Sequence, residues 1–123
     1  MFVLYISPTC DIVSFKSGIA SMQSLLKTSL PVIVIGDTNL NVNDSSNYAQ
    51  INMMKQSLHC KQHMSTFTTD NNAIPDHIYS NCELQACGTI GTPWSDHKFI
   101  CAALETLLLS FLHQSSHLKQ LLL

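Results

Sequence analysis

Three short segments carry residue types suited to hydrolytic chemistry: Gly36-Asp37-Thr38-Asn39, Asp76-His77-Ile78-Tyr79 and Trp94-Ser95-Asp96-His97-Lys98. Side chains alternate along a strand, so Asp37 and Asn39, two residues apart, can point into one crevice. If the three segments meet at one end of a sheet, that crevice gathers Asp37, Asn39, Asp76, Asp96 and His97. Carboxylate oxygens with an amide suit Mg2+ (or Mn2+), a hard ion that keeps several waters and takes few protein ligands. An Asp beside an imidazole fixes its tautomer and raises its basicity. The set fits attack on a phosphorus centre, with a metal on the non-bridging oxygens, Asp or His moving protons, and Asn holding the phosphate. His77 alternates to the opposite face from Asp76 and reads as structural.

Each segment also has a plainer reading. Gly, Asp and Asn favour turn geometry, so Gly36 to Asn39 alone describes a turn after a strand. Asp96-His97 alone describes a strand-start cap, and Tyr5 a strand residue with a half-buried ring. A rival chemistry is zinc. Cys60-x-x-His63 could form one ligand pair and Cys82 with Cys87 a second, since zinc takes four N or S ligands in a tetrahedron. Against it, buried free cysteines behave as small hydrophobes.

The elements that must position these residues follow from periodicity. Phe2 to Ile6 is apolar and β-rich, and Ser7-Pro8 stops it. Ile12, Phe15, Ile19, Met22 and Leu26 form one stripe at helical spacing, with Thr9 or Asp11 able to cap its start. Pro31 to Ile35 is a continuous β-branched run, the pattern of a strand buried on both faces. Tyr48, Ile51, Met54 and Leu58 make a second, weaker helical stripe. Short strands are expected at Met64 to Thr69, Asp76 to Ser80, Leu84 to Thr89 and Phe99 to Ala103. From Leu104 a Leu-rich amphipathic helix is expected, one that would need a partner surface. The order suggests α/β or α+β layers.

At 123 residues the chain suffices for one domain, and 46% hydrophobic residues supply its core. Charged residues are 11%, the net charge is −2, and all six cations are Lys, which excludes a strongly basic nucleic-acid binder and any bidentate guanidinium grip on phosphate. Five cysteines, an odd number without a Cys-x-x-Cys pair, point to reduced thiols in an intracellular protein. No apolar run approaches the ~18 residues of a membrane span.

Taken in order, Leu4-Tyr5-Ile6-Ser7-Pro8, Val34 to Asn39, Thr68 to Asn81 and Ser95-Asp96-His97 resemble the endonuclease/exonuclease/phosphatase superfamily, across roughly residues 2–101. The Ser-Pro turn and the Trp-Ser-Asp-His-Lys ending look most like endonuclease modules of mobile elements such as retrotransposons. The resemblance implies metal-dependent phosphodiester hydrolysis acting on DNA, in the nucleus. It implies that Asp37 positions the attacking water, Asn39 holds the phosphate and Asp96 is linked to the metal. It further implies that His97 contacts the scissile phosphate, Asp76 orients that imidazole, and Tyr5 is the active-site tyrosine. The family fold is a four-layer α/β sandwich of two similar halves, and this chain resembles the second half alone. The first half normally brings an Asn and a Glu to the metal. Residues 1–103 are therefore expected to be a truncated domain and 104–123 a separate Leu-rich tail, with DNA bound as part of a larger protein. Thr38 stands where the family usually has an aromatic, a replacement expected to be tolerated. An uncovered sheet face, or the Leu-rich tail, is expected to support self-association.

Overall fold

A computed structural model describes residues 1–26 and 29–104. The elements run β1 (Phe2–Tyr5), α1 (Ile12–Leu25), β2 (Ile33–Asp37), α2 (Tyr48–Ser57), β3 (Lys61–Gln62), β4 (Asp76–Ser80), β5 (Ala86–Ile90) and β6 (Phe99–Ala103), with one 3-10 turn (Ser45–Asn47) before α2. Asp11, not Thr9, caps α1: its carboxylate accepts the backbone N–H groups of Val13 and Ser14, both at 2.9 Å. These bonds, the one from Ser14 foremost, hold the Asp11 carboxyl below its ordinary range. Phe15 and Ile19 from the predicted stripe are buried, whereas Ile12 stays exposed at the first turn.

Four strands form one mixed sheet in the order β1-β2-β4-β3, with β1 parallel to β2 and the other pairs antiparallel. A parallel pair needs a crossover connection, and α1 supplies it between β1 and β2. The β-branched run at 32–35 divides as a two-faced strand should. Val32 and Val34 pack with Phe15, Ile19, Met54 and Leu58 under the helices, while Ile33 packs with Met64, Ile74 and Ile78 on the other face. Ile100 and Leu84 cover part of that second face, brought there by β6 and the segment leading into β5. β5 and β6 pair only with each other, as an antiparallel two-stranded sheet. At the β1 edge Val3 and Tyr5 remain 80% and 69% exposed.

Gly36 is required where it stands. Its φ is +152°, and an added Cβ would run into the Leu4 carbonyl oxygen of β1. The Gly of the Gly-Asp-x-Asn segment thus lets β1 approach β2 one residue before Asp37.

Two expectations need correction, and one strand was not expected at all. Met64 to Thr69 is not a strand. Pairing with β4 ends as the His63 N–H meets the Ile78 carbonyl at 2.9 Å, and Thr68 bonds instead to Ala73, also at 2.9 Å, in a local turn. The one ladder-like contact left in that stretch is an isolated antiparallel bridge, Thr69 to His97. The strand expected at Leu84 begins two residues later, at Ala86. The short edge strand β3 was unforeseen, because two polar residues carry no apolar alternation. The helix expected from Leu104 falls on residues 105–123, outside the described residues. Among the described residues no helix is long and apolar enough to cross a membrane.

Candidate metal centre

Strand register builds the centre. Asp37 ends β2, Asp76 begins β4, and the two are direct partners across that antiparallel pair. Like charges directly opposite each other in a ladder repel. Asp76 is buried at 8% exposure, which sharpens the repulsion. A cation between them would offset it.

His97 reaches this point from the segment that leads into β6. The backbone N–H of Asp70 donates to the Asp96 carbonyl at 3.0 Å, and Lys98 N–H donates to the Thr68 carbonyl at 2.8 Å. These two bonds flank the Thr69–His97 bridge and clamp the 96–98 segment beside the start of β4. The Ser95 hydroxyl accepts the His97 N–H at 3.1 Å, and the Thr92 hydroxyl donates to the His97 carbonyl at 3.0 Å. The imidazole then donates from Nδ1 to the Asp76 carboxylate, 3.0 Å to Oδ2 and 3.2 Å to Oδ1. That contact leaves Nε2 free for a ligand or a proton. Asp37, Asp76 and His97 each offer a ligand atom within 4.8 Å of the others, a group able to hold a metal ion.

A buried polar network braces the two carboxylate strands from behind. Thr38 is 1% exposed, and both its hydroxyl (2.8 Å) and its N–H (2.9 Å) donate to the Pro75 carbonyl, immediately before Asp76. His77 is fully buried. Its Nε2 donates to the Ile74 carbonyl at 3.1 Å, so its Nδ1 accepts from the Tyr79 hydroxyl at 2.7 Å. Burial drives His77 below its ordinary pKa, which agrees with a neutral ring, and pushes the Tyr79 hydroxyl up. Thr38 therefore ties the Asp37 turn to the Asp76 strand.

The other expected site residues fall around this group rather than in it. Tyr5 lies opposite Asp37 in the β1–β2 register, on the open edge. Asn39 adopts a left-handed backbone (φ 52°), its N–H bonded to Asp37 Oδ1 at 2.9 Å and its Nδ2 to the Ile6 carbonyl at 2.8 Å. One amide hydrogen and the oxygen of Asn39 remain for a ligand. The Asp96 side chain is exposed and stands outside the three-residue group, while its carbonyl helps seat His97. Thr68, Thr69, Thr92 and Ser95 position the centre without carrying a reactive atom. Ser95 and Thr92 act through local turn bonds to His97, whereas Thr68 and Thr69 meet that segment through backbone contacts that no local spacing marks.

The four zinc candidates converge less. Among the described residues the only three-ligand group is Asp37, Asp76 and His97. Cys60 is buried against the helices, and that burial, with Cys82 nearby, pushes its thiol up to about 11. His63 donates from Nε2 to the Ser80 hydroxyl at 2.8 Å, and the Cys87 thiol lies 3.5 Å from the His63 carbonyl. No family model, curated protein or solved structure matches the chain.

Proposed function

We propose that this chain is the second half of a four-layer α/β sandwich and carries part of a metal-dependent phosphodiesterase centre of the endonuclease/exonuclease/phosphatase type. The observation that carries the reading is the convergence of Asp37, Asp76 and His97 at one sheet end, with Asp76 already bonded to the imidazole. Two facing carboxylates favour a hard divalent ion, Mg2+ or Mn2+, which would polarise a phosphoryl oxygen and offset their repulsion. Asp37 would orient an attacking water. Asp76 holds His97 with Nε2 outward, toward the phosphate or leaving oxygen. Asn39 keeps the Asp37 turn in shape through its own N–H and offers its free amide hydrogen to the phosphate. Asp96, exposed beside His97, is available for an additional metal contact through water. Tyr5 borders the same edge.

DNA is the proposed substrate, bound as part of a larger protein, because a net charge of −2 gives this chain little grip on phosphate backbone. The test is cleavage of supercoiled plasmid with Mg2+ and with EDTA, for the wild type, Asp37→Ala and His97→Ala. Metal-dependent nicking that disappears in both variants supports the reading. Cleavage indifferent to both substitutions, or none at all, removes it for this chain.

A further inference from the structure

The sheet face that carries the metal centre is covered over β4 and open over β1. Across it runs the row Val3–Ile35–Ile78, paired in register from β1 through β2 to β4. Exposure climbs along that row: Ile78 is fully buried, Ile35 half-buried and Val3 80% exposed. Phe2 and Leu4 pack with the core under the helices, so alternation sends Val3 and Tyr5 to this opposite face. The β5–β6 sheet lies over the β4 side, where Ile100 and Leu84 pack with Ile33, Met64 and Ile78. Among the described residues the β1 side has no such cover. The neighbouring row on the same face, Tyr5–Asp37–Asp76, runs through the centre itself, so the open strip borders it.

The end of the described chain points to an occupant. Leu104 is half-buried against the Ile33–Ile78 cluster, which Ile35 also borders. Residues 105–123 follow directly. They continue from Leu104 at helical spacing with Leu108, Phe111, Leu118 and Leu122, and their charged side chains at neutral pH are Glu105 and Lys119. A segment so apolar along one stripe needs a surface to cover it. The open width, β1 and the adjoining edge of β2, is roughly 10 Å, about the diameter of one helix with its side chains. In helical form the segment would run roughly 28 Å, ample for the ~13 Å length of β1. Because it starts on the same cluster, it meets the strip at high local concentration, an advantage that a second copy of the chain lacks.

We propose that residues 105–123 dock on the Val3–Ile35 strip of their own chain, with Leu108 and Phe111 against it, and so wall the row that holds Asp37. The proposal concerns what covers this face and is independent of the chemistry at the centre. A second sheet stacked on the same face, as in a four-layer sandwich, would have to displace the segment.

The experiment is photo-crosslinking of the full chain carrying Val3→p-benzoylphenylalanine, with products separated by size and mapped by mass spectrometry. The expected product is monomeric, its crosslink joining position 3 to residues 105–123. Adding Leu108→Asp and Phe111→Asp should lower that yield roughly tenfold or more, while slow amide exchange in β2 and β4 shows the fold intact. The same photo-crosslinker introduced as Tyr48→p-benzoylphenylalanine, exposed on α2 across the sheet, should capture the segment far less. Crosslinks formed only between two chains would make a second copy the occupant and overturn the proposal. No capture of residues 105–123, equal capture from position 48, or an undiminished yield in the folded double-Asp variant would each overturn it as well.

Discussion

At the start of β4, Asp37, Asp76 and His97 bring ligand atoms within 4.8 Å of one another; beyond its far end, His59, His63, Cys82 and Glu83 line an open cleft of about 320 Å³ without forming such a group. Both regions hold metal-ligand residue types. The difference lies in what fixes them. Asp37 and Asp76 stand on paired strands whose register is set by two apolar cores, and His97 is clamped by backbone bonds to Thr68 and by the Thr69 bridge. The far cleft is built from strand ends and turns. His59 has a left-handed backbone (φ 52°), and His63 is engaged with Ser80. Lys61 places a cation among the would-be ligands. Burial, then that Lys61 charge, pushes the His63 pKa down. Residue type nominates a metal site, but rigid, mutually bonded elements assemble one.

The largest expected effect breaks the strand register itself. Gly36→Ala forces a side chain onto the Leu4 carbonyl at a φ that L residues rarely adopt. It should lower the free energy of urea unfolding by on the order of 3 kcal/mol. Gly91→Ala, with open space around it, should stay within about 0.5 kcal/mol. Similar losses in both would mean that the β1–β2 approach does not depend on the glycine.

A smaller effect separates the two clefts directly. Asp76→Asn removes one of the facing carboxylates and the anchor of His97, and should weaken Mn2+ binding roughly tenfold or more by calorimetry. Cys82→Ala should leave Mn2+ binding unchanged. Equal losses would erase the distinction drawn between the two ends of β4.

The mildest effect is acid sensitivity. His77 has its folded pKa held below the ordinary 6.5 by burial, so the unfolded chain takes up a proton that the folded chain refuses. Stability is then full above pH 6.5 and declines as pH falls below it, until the folded ring also protonates. His77→Gln should flatten that decline in chemical unfolding measured between pH 7 and 5. The same slope in both proteins would assign the acid sensitivity to other groups.

Much of the scaffold was legible because the signals are local. The alternating three-and-four stripe from Ile12 placed α1 within a residue, and Val32 to Ile35 announced a strand with two buried faces. Asp37, Asp76 and His97 were legible as residue types at the ends of expected strands, but their meeting rests on the β2–β4 register and the Thr69–His97 bridge. Met64 to Thr69 misled. Its apolar and β-branched residues suit a strand, yet Met64 fills a core position and Thr68 and Thr69 bond to a turn and to the His97 segment. Composition reports such burial and cannot say where backbone bonds go.

The sequence by itself determined the helix stripes, the strand run at residues 32–35 and the candidate reactive residues. Each depends on neighbours within a few positions, where periodicity and backbone sterics act directly. Tertiary structure decided that Asp37, Asp76 and His97 converge while Asp96 stays at the rim. It also turned Thr38 and His77 into a buried brace. Those outcomes depend on which distant segments share a strand edge or a core, and that is settled by packing and register across the whole chain.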